Sequence, residues 1–575
     1  MKRIAIIGAG QSGLQLGLGL LQSGYEVTIY SDRSGQDIRK GKVMSSQCMF
    51  DSALQTERAL GLNHWEQQCP RVEGISFTVP AAEGAPRLEW AARFDQYAQS
   101  IDQRVKIPGW MEEFTRRGGE LIIQGAGIST LEACAQSHDL VIVASGKGEI
   151  GWLFERDASR SPYDQPQRAL AITYVRGMRP RDGYSAVCFN VIPRVGEYFA
   201  FPALTTSGPC EIMTFEGAIG GPMDCWADVR TPQQHLAKSK WILETFLPWE
   251  ASRCRDVELV DTNGTLAGRF APAVRRPVGV LPSGRKVLGM ADAVVLNDPI
   301  TGQGANNAAR CAEIYLESII ECGEGRPSAD WMQQTFDRYW VGYARWAVEW
   351  TNMLLSPPPH FHKLLECAGK VPAVASAIAN GFDDPRTLFP WFVDATEAEK
   401  FIATQLAQAA ADRFDRRDFR KALGQFATGV TVVTTRSGDG RPVGLTVNSF
   451  SSVSLNPPLV LWSLAREASS IAEFTAASHF AINVLAARQH HLSRQFATPL
   501  PDKFAGVEFS PGIAGVPLLH GAIAHFICRN VRQYDGGDHL IFIGEVEEYK
   551  WSEAEPLVFH SGRYRVPTAH PELPD

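Results

Sequence analysis

No stretch of the 575 residues stays apolar for the ~18 positions that a membrane-spanning helix needs. The opening Met1-Lys2-Arg3 and Ile4-Ala5-Ile6-Ile7 imitate a signal peptide, but Gly8, Gly10, Gln11 and Ser12 cut the run short. No block of Lys and Arg is present to track a phosphate backbone. The 56 basic and 63 acidic side chains are interspersed and leave a formal charge of −7. Neither a membrane nor a nucleic acid is therefore expected as a partner. The eleven cysteines include no C-x-x-C pair, and none has the histidine spacing of a zinc site. Scattered and odd in number, they read as buried free thiols of a reducing compartment, so a cytoplasmic protein is expected. His490 and His491 are adjacent, and neighbours on a helix or strand do not point at one ion, so no metal site is expected. There is no internal repeat and no low-complexity tract. There is also no Ser-His-Asp order, no His-x-x-Glu-His helix and no isolated carboxylate pair, which leaves the difficult chemistry to a cofactor.

What remains is ordinary globular composition, 45% hydrophobic and 10% aromatic. The length suits about three to five core-sized units. Arg3 to Ile7, a glycine turn, a Pro-free stretch with Leu14, Leu16, Leu18, Leu20 and Leu21, Gly24 and the run Val27 to Tyr30 spell a βαβ unit. Asp139 to Ala144 is a further β run that stops at Ser145-Gly146. Between about 165 and 275 the texture changes to strands rich in β-branched and aromatic residues, an inserted antiparallel sheet. A Gly/Asn-rich turn at 297–307 and a long helical pattern through about 323 follow, with helices continuing through Trp340, Trp346 and Trp350. Residues 401–415 suit a helical connector. A β-rich module follows. The expected division is 1–400, a linker at 401–415, and 416–575.

Gly8-Ala9-Gly10-Gln11-Ser12-Gly13 directly follows a strand pattern and opens a helix pattern. In that context the first glycine allows a tight turn, the second lets a pyrophosphate approach the backbone, and the third lets helix and strand pack closely. The acid expected after the second strand is blurred, with Ser31 at the usual position and Asp32 and Arg33 beside it. A second segment has Asp292 at a strand end, then Pro299, then Gly302-Gln303-Gly304-Ala305-Asn306 running into a helix. An aspartate there can accept from a sugar-chain hydroxyl, and a glycine turn at a helix start offers backbone N–H groups.

This pair resembles the ribityl-binding Asp and glycine turn of the class A flavin monooxygenase fold, an α/β Rossmann-like FAD-binding domain with an inserted antiparallel substrate sheet. Where that family carries Asp-Gly after the middle strand, this sequence has Ser145-Gly146-Lys147, which argues against reduction by NAD(P)H in this half. With Pro166-Gln167-Arg168-Ala169-Leu170 and Asp298-Pro299-Ile300-Thr301, residues 1 to about 400 resemble the epoxidase component of styrene monooxygenase. The resemblance implies reduced FAD taken from a reductase, O2, a C4a-hydroperoxyflavin, and epoxidation of a small aromatic alkene, styrene or indole. By the same resemblance Pro299 lies over the flavin, and Ser46 stands where such epoxidases carry an asparagine. Phe189, Phe199, Phe201 and Phe215 are candidates for an apolar pocket wall. A flavin-dependent aromatic hydroxylase, or a module that stores or senses reduced flavin, is the alternative.

From Phe419 through Gly429 to Thr435, then Gly444 to Ser454, Pro457-Pro458, Gly537-Asp538-His539 and Pro556 to Tyr564, the chain resembles the short-chain NAD(P)H:flavin oxidoreductases. These are split β-barrel dimers that partner two-component monooxygenases. The resemblance implies that Thr446, Asn448, Ser449, Phe450, Ser463, Ser469, Ser470 and Lys503 surround the flavin and that His539 sits beside the nicotinamide. It further implies NADH as reductant, with NADPH possible, a homodimer through this domain, and a separate monooxygenase component as a possible partner.

Overall fold

A computed structural model describes residues 2–80, 88–145, 148–412, 416–569 and 572. The chain forms two compact units, Met1–Ala409 and Ala410–Asp575.

In the first unit Ile4 to Ile7 of the strand Arg3–Ile7 are buried because the strand lies inside a sheet, parallel to Glu26–Ser31 on one side and Leu140–Val143 on the other. The six-stranded order is Val278–Val280, Lys286–Gly289, Leu140–Val143, Arg3–Ile7, Glu26–Ser31, Glu120–Ile123. All neighbours are parallel except Val278–Val280, which is antiparallel to Lys286–Gly289. The helices Gln11–Gln22 and Gln303–Cys322 pack closely, since a Cβ on Gly19 would stand 2.5 Å from Leu316. The carboxyl ends of three central strands therefore share one edge, where their loops begin.

A second sheet runs Glu258–Leu259, Arg168–Arg176, Gly208–Ala218, Gly196–Thr205, Ala186–Ile192, Arg71–Val79, Leu88–Gln99, and Thr265–Gly268 also pairs with Arg168–Arg176. It differs from the inserted antiparallel sheet expected at about 165–275. Arg71–Val79 and Leu88–Gln99 join it from far upstream, and Arg71–Val79 pairs in parallel with Ala186–Ile192. Leu88–Gln99 alternates Trp90, Ala92 and Phe94, which are buried, with the charged Glu89, Arg93 and Asp95, the pattern of a strand with one covered face. One face of the sheet carries Phe77, Phe189, Phe199 and Phe201, stacked at centroid spacings of 5.3, 5.3 and 6.5 Å, and packs with Trp350, Leu364, Ile378 and Phe382. The other face carries Tyr198 and Phe215, packed with the loop residue Trp226 under the helix Pro232–Phe246.

The second unit has a seven-stranded antiparallel sheet in the order Pro442–Val447, Thr431–Arg436, His479–Val484, Ala524–Gly536, His539–Trp551, Pro458–Ala465, Ser451–Leu455. Its edge strands are consecutive in the chain, joined only by residues 448–450. Three residues reach about 10 Å, so the sheet must curl until its edges approach. Trp462, stacked on Phe542 at 4.6 Å, fills the interior with Phe474 and Phe480.

Candidate active sites

The glycine turn of the first unit divides its labour by position. Gly8 has φ +119°, and a Cβ there would press on Ala144 at 3.1 Å and on Ser145 at 3.3 Å. Gly13 admits no side chain, because a Cβ would lie 2.0 Å from the Gly8 carbonyl oxygen. Gly10 faces open space, with no protein atom within 4 Å of such a Cβ. No side chain caps the helix that starts at Gln11, so its positive end is left for an anion. At the second helix start Gly302 has φ +65°, Gly304 is likewise open, and again no side chain caps the helix. Gly10 and Gly304 thus leave open space beside uncapped N–H groups, room for an anionic cofactor to approach the backbone.

The other expected residues fall into two groups. Ser31 is buried at the end of its strand, and its hydroxyl donates to the Arg33 carbonyl at 2.7 Å. Asp32 is exposed, and the Arg33 guanidinium turns to Met44. Asp292 is exposed just beyond Lys286–Gly289. Gln303 and Asn306 are buried with side chains committed to protein. Gln303 accepts from the Tyr343 hydroxyl at 2.8 Å and donates to the Phe382 carbonyl at 2.9 Å. Asn306 donates to the Cys48 carbonyl and accepts from the Phe50 N–H, both at 2.9 Å. Ala305 packs with Met49 and Leu54. Ser46, half-buried, thus sits two residues from a segment tied to the second helix start. Gly146 and Lys147 lie outside the described residues, whereas Ser145 abuts Gly8.

A buried polar network joins these segments. Lys106 donates to Glu57 at 2.6 Å and approaches the Met49 sulfur at 3.0 Å, and Gln11 donates to the same Glu57 oxygen at 3.0 Å. Lys106 and Glu57 are each about 1% exposed. The glycine turn, the 46–50 segment and the helix start at 303 are therefore held in one frame.

Beside Ile300 lies a small apolar cavity of about 40 Å³, walled by Phe77, Phe189, Trp350, Leu354, Phe361 and Phe382, with Glu197 as its charged member. Phe189 lines it, and Phe199 and Phe201 stack behind. Phe215 does not contribute: its register partner is Tyr198, and alternation turns both away from Phe199. The expected absence of a carboxylate pair is also overturned. Glu197, Glu216 and Asp298 gather near Arg168, which binds Glu197 at 2.7 and 3.0 Å. These acids lie far apart in the chain. The available signal was a glutamate on the same alternate positions as Phe199 and Phe201. Among the described residues no group of three His, Cys, Asp or Glu is placed to hold a metal.

In the second unit the crossing 448–450 carries Asn448, Ser449 and Phe450. The Ser463 N–H donates to the Ser449 hydroxyl at 2.9 Å, fixing the crossing to Pro458–Ala465. Thr446 donates to the Ser493 carbonyl at 2.7 Å, and Lys503 donates to the Phe496 carbonyl at 2.8 Å, both within reach of the helix His490–Ala497. Burial holds the Lys503 amine below its usual range. Ser469 is exposed and Ser470 precedes the short helix Ile471–Ala476. His539, opposite Ala465 and half-exposed, donates from Nδ1 to Asp538 at 2.7 Å. Phe450 packs on Phe526 at 5.6 Å.

Two family models match. Residues 146–253 match "Styrene monooxygenase A putative substrate binding domain", and residues 423–568 match "Flavin reductase like domain". Over 396 residues the chain is 28% identical to styrene monooxygenase StyA of Pseudomonas fluorescens, covering 67% of this chain and 93% of that protein. Over 148 residues it is 47% identical to the NADH-dependent FMN reductase SmoA of Agrobacterium fabrum, covering 26% of this chain and 84% of that protein. It is 43% identical over 158 residues to the stachydrine N-demethylase reductase subunit Stc3 of Rhizobium meliloti, covering 28% and 69%. Through its C-terminal unit the chain belongs to the flavin reductase family, and it joins to that unit a styrene monooxygenase A-like region, as a flavin-dependent monooxygenase fused to its own reductase.

Proposed function

We propose that the C-terminal unit uses NADH to reduce FAD and that the N-terminal unit uses the reduced FAD and O2 to epoxidise styrene, with indole as the competing substrate. The observation that carries this reading is the aromatic cavity beside Ile300, one residue from Pro299 and two from the open Gly302–Gly304 turn. Reduced FAD supplies the activation of O2, and the chain supplies binding, orientation and exclusion of water. Gly10 and the helix start at Gln11 would take the pyrophosphate, Ser31, Asp32 and Arg33 the adenosine end, and Asp292 the ribityl chain. The turn from Gly302 through Gln303, Gly304, Ala305 and Asn306 would offer its backbone to the ring, with Pro299 and Ser46 flanking it. Phe77, Phe189 and Trp350 would hold a flat vinyl arene and keep water out. In the second unit Thr446, Asn448, Ser449, Phe450, Ser463, Ser469, Ser470 and Lys503 would hold the flavin, with His539 beside the nicotinamide.

The parallel sheet with a wall sheet supports the class A, Rossmann-like assignment, and the curled antiparallel sheet supports a split β-barrel. FAD rather than FMN suits the dinucleotide fingerprint at Gly8–Gly13. Residues 1–400 as monooxygenase, 401–415 as connector and 416–575 as reductase follow from this reading. So does a homodimer through the reductase, for which the exposed Val453, Leu455, Tyr549 and Trp551 offer apolar surface. The test supplies the full chain with chemically reduced FAD, air and styrene but no NADH. Styrene oxide is the expected product, and its absence together with indole oxidation would reassign the substrate.

A further inference from the structure

Behind the cavity four charged side chains meet, and their hydrogen bonds do not balance. The Arg168 fork is taken up by Glu197. Asp298, 1% exposed, accepts the Ile300 N–H at 3.2 Å and so closes the turn Pro299–Thr301. Glu216, opposite Glu197 in the sheet, is fully buried, and no N–H or hydroxyl reaches either of its carboxyl oxygens. The group it meets is another acid, Asp298. Tyr163 also faces Asp298.

An ionised carboxyl without a donor is not tolerated in such a place, and two buried acids in contact settle by holding one proton between them. We propose that a proton shared by Glu216 and Asp298 clasps the Pro299–Thr301 turn to the wall sheet, which makes Glu216 a positioning residue for the oxygenation reaction. On its far side the same turn is held by Thr301, whose hydroxyl lies 2.6 Å from that of Thr351 on the helix Arg345–Leu355. The clasp therefore completes the second anchor of the segment that carries Pro299 and lines the cavity with Ile300. This inference rests on the reading of that turn as the flavin's neighbour.

Burial, with Asp298 and Glu197 nearby, pushes the Glu216 carboxyl well up, and burial pushes Asp298 up to about 6. Raised carboxyl values mean that the contribution to stability is complete at acid pH. Above about 6 one proton remains between the two acids, and the clasp is lost as pH climbs through the range in which Glu216 ionises.

Two variants of the full chain separate this role from a merely structural one. Glu216→Gln keeps a donor that cannot ionise, and Glu216→Ala removes it. Given chemically reduced FAD, the wild type should lose epoxide yield on the alkaline side. Glu216→Ala should lose about tenfold at neutral pH and below, a gap that closes as the wild type loses the clasp in alkali, and Glu216→Gln should recover most of that and carry it about one pH unit or more further into alkali. Infrared titration of the flavin-free chain provides the independent readout: Glu216→Gln subtracts one carboxylic-acid C=O component at neutral pH from the signal shared with Glu211 and Glu250, whose carboxyls burial also pushes up. A neutral-pH band unchanged by Glu216→Gln, or one pH profile for all three proteins, would overturn the clasp. A wild type that makes no epoxide would instead overturn the epoxidase reading, and the infrared titration alone would then decide the clasp.

Discussion

A single methyl group has opposite meanings at two glycines three residues apart. On Gly13 it would stand 2.0 Å from the Gly8 carbonyl, a contact that neither backbone can relieve without shifting helix from strand. On Gly10 it would touch nothing in the protein. Gly13→Ala should therefore destabilise the first unit by about 1–3 kcal/mol or more. Gly10→Ala should leave its unfolding midpoint in place and weaken FAD binding. Denaturant unfolding and FAD titration of both variants check this pair, and equal loss of stability in the two would contradict the assigned roles. These residues were legible in the sequence because their chemistry is local: a strand, a turn and a helix start within a dozen residues fix where the glycines must go. Glu197, Glu216 and Asp298 were not, because they are 19 and 82 residues apart and meet only through sheet register and a distant loop.

Among the elements, the helices Asp51–Ala59 and Gln103–Arg116 are joined by Glu57 and Lys106, a buried ion pair that also reaches Gln11 and Met49. Removing one partner leaves the other charged and dry. Lys106→Met should cost about 3–5 kcal/mol, and the double variant Lys106→Met with Glu57→Gln should recover much of it. Chemical denaturation of the three proteins measures the difference, and a single variant as stable as the wild type would show that the pair frames nothing. Element type was legible wherever a run was apolar or periodic, as at Arg3–Ile7, Leu140–Val143 and Gln303–Cys322. The wall sheet was legible only in part. Strand composition in the insert is plain, but the recruitment of Arg71–Val79 depends on Ala186–Ile192, about a hundred residues away, and Leu88–Gln99 joins the sheet through Arg71–Val79. The side of the sheet on which a given phenylalanine falls depends on parity along the strand, which is how Phe215 came to face away from the cavity.

At the scale of the whole molecule, two units of different fold share one flavin chemistry. A tether holds donor and acceptor at an effective concentration of roughly millimolar for short linkers, which limits the loss of reduced flavin to O2 in solution. The measurement that tests this account most directly is styrene oxide formed per NADH consumed by the purified chain, given only FAD, styrene, air and catalase. The account predicts a ratio well above zero that falls when Gly10→Ala replaces the wild type while NADH consumption continues. NADH consumption with no oxide from the wild type would contradict the self-sufficient epoxidase and leave only the reductase half standing.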